Sequence, residues 1–316
     1  MTIPPPAAAL APILAESQAL AKESAALAHL RGYGPCLVAF SAGVDSTYLL
    51  DLAVEALGKN RVVAVTADSP SLARHSLEEA RVFCHERGIE HLVVATDEFD
   101  SPDYLANDGQ RCYHCKSALL KAMNALALAL INQGRLAHGA KFLIGAIADD
   151  LGDYRPGMRA AAEAGALWPL ADAGFSKAEV RERSRARNLP TWNRPAEPCL
   201  SSRLPYGEPV TVEALAMIEG AERVLRTFGF PTCRARHHRI GAAAGPNGNS
   251  PTRGNLLRIE VPIDDLARVV ASREILLPAL RACGYANVTL DLAGFVSGGY
   301  NALLAPARQQ PQQQQQ

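Results

Sequence analysis

Four short apolar runs leave few architectures open to this chain: CLVAF (36–40), RVVAVTAD (61–68), HLVVAT (91–96) and KFLIGA (141–146). CLVAF has no period-two alternation, as expected of a strand buried on both faces. Between and before the runs lie helix-patterned stretches at 10–31, 47–57, 76–88 (closed by Gly88) and 116–134. Strand and helix at this spacing are βαβ units, so the expected fold is α/β, a mostly parallel sheet with helices on both faces. Ligands of such sheets bind beyond the carboxyl ends of the strands.

From about residue 205 the order becomes α-β-β-α-β: a helix at 211–230, strands at 233–238 and 255–262, a helix at 264–284 and a strand at 287–292. This predicts a small α+β domain over 205–307 after a first domain over 1–204. The Gly-, Pro- and Asn-rich stretch 241–254 reads as a mobile loop, and the tail RQQPQQQQQ (308–316) as disordered.

The chain has 316 residues, 48% of them hydrophobic and 20% charged, with no formal net charge. A nucleic-acid binder usually carries a basic excess, so no nucleic-acid partner is expected. With no run of eighteen apolar residues, no membrane span is expected. The N-terminus lacks a positively charged start and is interrupted by prolines at 4–6 and 12, unlike a secretory signal. Seven cysteines, an odd number in a long chain, do not suggest a disulfide framework; a reducing cytoplasm fits better.

SAGVDS links a predicted strand to a predicted helix, where backbone N–H groups and the helix dipole favour an anion. Gly43 allows close approach of phosphate, Ser41 and Ser46 supply hydroxyls, and Asp45 either holds Mg²⁺ or shapes the loop. The hexapeptide resembles the SGGxDS signature of the PP-loop ATP pyrophosphatases, whose fold is adenine nucleotide alpha hydrolase-like. Ala42 departs from the usual Gly and must tolerate a backbone that Ala disfavours. There is no GK[ST], so ATP is expected to split between its α and β phosphates.

RCYHCK (111–116) places Cys112 and Cys115 just before a helix, and EPCLSSRLPYG (197–207) places Cys199 in a proline-shaped loop. Three thiolates from two loops suit a [4Fe-4S] cluster with one open iron. Arg203 is placed to lower a thiol pKa or to hold an anion. Arg234 and Arg236, two apart on a strand, share a face and repel unless an anion sits there. Arg181, Arg183, Arg185 and Arg187 read as a solvated helix surface. Cys36, Cys84, Cys233 and Cys283 lie within or at the start of predicted elements and read as packing.

SAGVDSTYLL, TADSPSL, RCYHCK, GAIADDLGDYRPG, PLADAGFSKAEVR, RPAEPCLSSRLPYG and RARHH (234–238) together resemble the LarE sulfurtransferases over roughly 10–300. The resemblance implies a homo-oligomer, such as a hexamer, acting on a small mononucleotide, pyridinium-3,5-biscarboxylic acid mononucleotide. ATP adenylates a ring carboxylate, a sulfur attacks, and a thiocarboxylate results; two rounds yield the precursor of the nickel-pincer cofactor of lactate racemase. It further implies that Ser41, Ala42, Gly43, Val44, Asp45 and Ser46 hold the pyrophosphate end of ATP. Arg203, Arg234 and Arg236 take the substrate's phosphate and carboxylates, and Glu222 and Glu260 take a divalent ion. Cys199 is a cluster ligand with Cys112 and Cys115 or gives up its own sulfur; the three cysteines favour the cluster. Ala146 and Ile147 stand where Thr-Asn is common.

Two other readings stay open. Another PP-loop enzyme, a tRNA thiolase or an amide synthase, would share the loop, but no RNA-binding extension or glutaminase-like domain is seen. A non-catalytic sensor of ATP or iron would not need the intact loop beside three cysteines.

Overall fold

The computed structural model describes residues 7–151, 155–240 and 254–296. The tail and all of the 241–254 loop but Gly254 lie outside them. In chain order the elements are α1 (Ala7–Tyr33), β1 (Cys36–Ala39), α2 (Val44–Leu57), β2 (Val62–Asp68), α3 (Arg74–Arg87), β3 (Glu90–Ala95), α4 (Pro102–Leu105), α5 (Arg111–Asn132), β4 (Lys141–Ile144), α6 (Ala148–Leu151), α7 (Pro156–Glu163), α8 (Pro169–Asp172), α9 (Lys177–Ala186), α10 (Val212–Thr227), β5 (Arg234–Ile240), β6 (Gly254–Glu260), α11 (Leu266–Ala271), α12 (Arg273–Ala282) and β7 (Asn287–Leu290).

They form two compact units, Met1–Glu98 with Cys112–Glu197, and Phe99–Arg111 with Pro198–Gln316. The sequence places the boundary after residue 204. The observed one precedes Pro198, because the Cys199 loop is bonded to α10, β5 and the Phe99–Arg111 segment, which leaves the first unit for the second.

The first unit is a parallel sheet of order β3-β2-β1-β4. Successive residues of β1 serve opposite faces. Cys36 and Val38 pack with Leu49, Leu52 and Val180 of α2 and α9. Leu37 packs with Leu120, Met123, Ala127 and Leu130 of α5. The last four recur at helical spacing and form one apolar stripe. By length and composition α5 is apolar enough to cross a membrane, and this stripe of it packs against the sheet. Gly88 closes α3 in the left-handed region, φ 60°.

The second unit has a sheet of order β5-β6-β7, antiparallel then parallel. α10 packs on β5 and on α12, and α12 on β7. The single helix expected over 264–284 is broken at Ser272 into α11 and α12, the latter containing Pro278.

Candidate active site

In the first unit the chain runs from β1 to β2 to β3 in one direction, then returns to lay β4 on the other side of β1. The crevice at the carboxyl ends of β1 and β4 is therefore the switch point at which such sheets bind ligands. Two loops meet there. After β1, the chain turns at Ala42, φ 55°, and enters α2 at Gly43. After β4 comes Gly145, where a Cβ would lie 2.8 Å from Ser46 N. Only glycine lets the end of β4 lie this close to the first turn of α2, a requirement that sequence reading missed.

The loop is braced internally. Ser46 Oγ donates to Gly43 O at 3.2 Å and accepts from Ser41 N at 3.3 Å, while Gly43 N donates to Ser41 Oγ at 3.4 Å. Ala42 and Val44 are buried, so they can meet a ligand through their backbone only. No side chain caps α2 at Gly43, which suits an anion at the first-turn N–H groups. Asp45 is engaged with Lys177 Nζ, at 2.8 and 2.6 Å from its two oxygens. Burial pushes the Asp45 carboxyl up, and Lys177 opposes that. Lys177 opens α9 behind a capping box of Ser176 and Glu179. The S-x-x-E pattern marks that helix start, but nothing in the sequence joins Lys177 to a residue 132 positions earlier.

In the second unit Cys199 precedes the 3₁₀ turn Leu200–Arg203, and its thiol is exposed. Sequence reading makes Arg203 a ligand of anions and Glu222 a ligand of a cation. Instead they bind each other: Arg203 is fully buried, with Nε 2.8 Å and Nη2 3.1 Å from the two oxygens of Glu222. Its Nη1 donates to Pro198 O and, at 3.2 Å, to Cys199 O. Arg203 therefore clamps the backbone around Cys199, with its charge matched by Glu222. Glu222 also accepts from Ala235 N at 3.2 Å, on β5.

Arg236 secures the same loop through Ser202 O at 2.9 Å. Arg236 is also paired within the fold: Glu260 Oε2 lies 2.9 Å from Arg236, and Glu260 Oε1 lies 3.2 Å from Arg258. Arg234 stacks over Phe295 at 4.9 Å. A divalent ion at Glu222 or Glu260 would compete with these arginines. The far side of the loop is held by Phe99–Arg111. Tyr104 meets Ser201 Oγ at 2.9 Å, Arg111 donates to Ser201 O at 2.8 Å, and Asn107 Nδ2 donates to Pro205 O and Glu208 O at 2.8 and 2.7 Å.

Cys112, exposed, and Cys115, half-buried, lie in the first turns of α5 and not before it. Tyr113 between them is fastened to α7, its hydroxyl on Glu163 at 2.5 Å and its ring 4.5 Å from Arg159. A Cβ at Gly157 would lie 3.2 Å from Cys112 O. By contrast Cys36, Cys84 and Cys233 are buried, and burial pushes each thiol up to about 12. Cys283 is half-buried and also raised by burial. The supposed surface arginines of α9 include two that are not. Arg183 binds Glu23 at 2.9 Å, and Arg187 binds Glu23 at 3.1 Å and Asp51 at 2.6 Å. Among the described residues, no three His, Cys, Asp or Glu side chains of one unit are gathered as a metal site.

Residues 28–112 match the NAD synthase family. The chain is 42% identical to an uncharacterised protein of Synechocystis over 271 residues, 85% of this chain and 92% of that one. It is 33% identical to the pyridinium-3,5-bisthiocarboxylic acid mononucleotide synthase of Lactiplantibacillus plantarum over 288 residues, 91% of this chain and 96% of that one. An ammonia-dependent NAD⁺ synthetase of Thermotoga maritima is 41% identical over 59 residues, 19% of this chain and 21% of its own. A parallel sheet with this loop at its switch point, and with these relatives, defines an ATP-using enzyme of the PP-loop class. Within that class, the near full-length match shows that the chain belongs to the LarE family of sulfurtransferases.

Proposed function

We propose that the chain adenylates the ring carboxylates of pyridinium-3,5-biscarboxylic acid mononucleotide with ATP and converts them to thiocarboxylates. The observation that carries this reading is the alignment over 91% of the chain with a relative named for the bisthiocarboxylic acid product.

A carboxylate resists nucleophiles because it is anionic. Its oxygen attacks the α-phosphorus of ATP, pyrophosphate leaves, and the acyl-adenylate carries AMP as a good leaving group. The first-turn N–H groups of α2, with Ser41 and Ser46, receive the departing pyrophosphate. Asp45 is the one carboxylate within the loop and the ligand for Mg²⁺ there, an ion that would share it with Lys177. A sulfur anion then attacks the acyl carbon and AMP departs.

Cys112 and Cys199 are exposed and Cys115 is half-buried, and cysteine sulfurs are the donors that iron–sulfur clusters need. The donor chemistry fits a [4Fe-4S] cluster with these three as ligands. Such a cluster supplies an open iron able to carry a sulfide for transfer. The chain's own part is to fix the ligand backbones: Arg203 and Arg236 on the Cys199 loop, and Tyr113 and Gly157 on the first turns of α5.

Protein purified without oxygen is expected to contain about four iron and four acid-labile sulfide per chain and to form AMP with the mononucleotide. If iron stays absent after reconstitution, sulfur comes from Cys199 itself. Its Cβ–S bond then breaks with loss of the Cα proton, leaving dehydroalanine and a mass short by H₂S after one transfer. No AMP in either state overturns the reading.

A further inference from the structure

Arg194 stands where the nucleotide loop and the approach to Cys199 meet within the first unit. Its Nη1 donates to Ala42 O at 3.0 Å, the carbonyl of the residue at positive φ. Its Nη2 donates to Glu197 Oε2 at 3.0 Å and to Ser76 Oγ, at the start of α3, at 3.2 Å. Glu79 of α3 also pairs with Nη1. Glu197 in turn binds His75 Nε2 at 3.0 Å through its other oxygen. His75 and Arg194 both hold the Glu197 carboxyl well below the usual carboxylate range against the opposing effect of its burial.

One guanidinium thus bridges a backbone atom of the nucleotide loop and a side chain two residues before Cys199. The next residue, Pro198, has its carbonyl held by Arg203. Between the anchor on Glu197 and the clamp on Pro198 there is a single peptide link, and proline restricts the residue before it. Phosphate entering the loop must engage N–H groups of the same turn whose Ala42 carbonyl Arg194 holds. A rotation of that peptide is felt at Arg194 and passed to Glu197.

We propose that Arg194 is a positioning residue that couples occupancy of the nucleotide loop to presentation of the Cys199 thiol. The inference rests on the reading that residues 41–46 bind ATP. Coupling makes sulfur delivery depend on a nucleotide being in place, so that a reactive sulfur is not offered to water or to the wrong electrophile.

The test uses the full-length chain, fully reduced and prepared free of iron, so that no cluster holds the Cys199 thiol. The rate of Cys199 alkylation by iodoacetamide is followed on the peptide containing it, with and without saturating α,β-methylene-ATP and Mg²⁺. Nucleotide binding is measured separately by calorimetry. In the wild type the rate is expected to change roughly fivefold or more on nucleotide binding, the lower range of a coupling free energy between two sites. In Arg194→Ala the change is expected to fall below about twofold with nucleotide still bound, and Arg194→Lys is expected to restore part of it. Should Arg194→Ala not fold, Glu197→Gln weakens the tie on the cysteine side alone and is expected to bind nucleotide normally with a diminished response. A wild-type rate indifferent to saturating nucleotide overturns the coupling while leaving the proposed function standing. A full response in the folded Arg194 or Glu197 variant overturns it too. If calorimetry shows no nucleotide binding to the wild type, the proposed function and the coupling both fail.

Discussion

Ala42 takes the nucleotide loop through φ 55°, a region that costs an L-residue with a Cβ about 1–2 kcal/mol and glycine nothing comparable. It is also buried, and burial of its methyl, worth about 0.8 kcal/mol, offsets only part of that strain. Ala42→Gly is therefore expected to raise stability by about 1 kcal/mol, read as a higher urea midpoint with an unchanged slope. An unchanged or lower midpoint would mean that the loop does not hold Ala42 in that region in solution. This position was legible in advance, because the hexapeptide resembles one that usually carries Gly there. The requirement at Gly145 was not. It arises from the backbone of Ser46, a hundred residues back, and a lone glycine between a strand and a helix carries no sign of what approaches it.

The elements divide by what stabilises them. Strands buried on both faces declare themselves as apolar runs, and β1, β2, β3 and β4 stand within a residue or two of their expected places. Polar side chains declare only their type. Arg183 and Arg187 read as solvent-facing because the sequence could not show Glu23, 160 and 164 positions away on α1. The same holds for the link between the Cys199 turn and α10, where Arg203 looked like a ligand for anions and is instead half of a buried pair. Removing one member of such a pair costs about 3–5 kcal/mol, since the other is left charged and buried. Arg203→Leu is expected to fall by that amount in chemical denaturation, and Arg203→Leu with Glu222→Leu to regain most of it. The double variant still lacks the donor to Pro198 O and Cys199 O, so sulfur transfer is expected to stay impaired after stability returns. Recovery of both together would show that the pair serves stability alone.

Acid sensitivity belongs to the molecule as a cooperative whole. His237 is buried on β5 with Nδ1 3.3 Å from the Tyr285 hydroxyl, and burial, then Arg239 and His238, push its pKa down from 6.5 to about 4. The unfolded chain takes up a proton near pH 6.5, while the folded one does so only near pH 4. Stability therefore falls as pH drops through that window and levels off below it. The wild-type urea midpoint is expected to decline from pH 7 to pH 4.5, and that of His237→Leu to decline less; equal slopes would assign the effect to other groups. Chain order adds a demand of a different kind. Asn107 and Arg111 are buried polar residues whose partners at 201–208 lie 90 or more positions downstream. At a ribosomal rate of about 5–20 residues per second, they wait on the order of 5–20 s before those partners exist. During that interval the Phe99–Arg111 segment stays solvated and open to proteases, and it is secured only once 201–208 has been made.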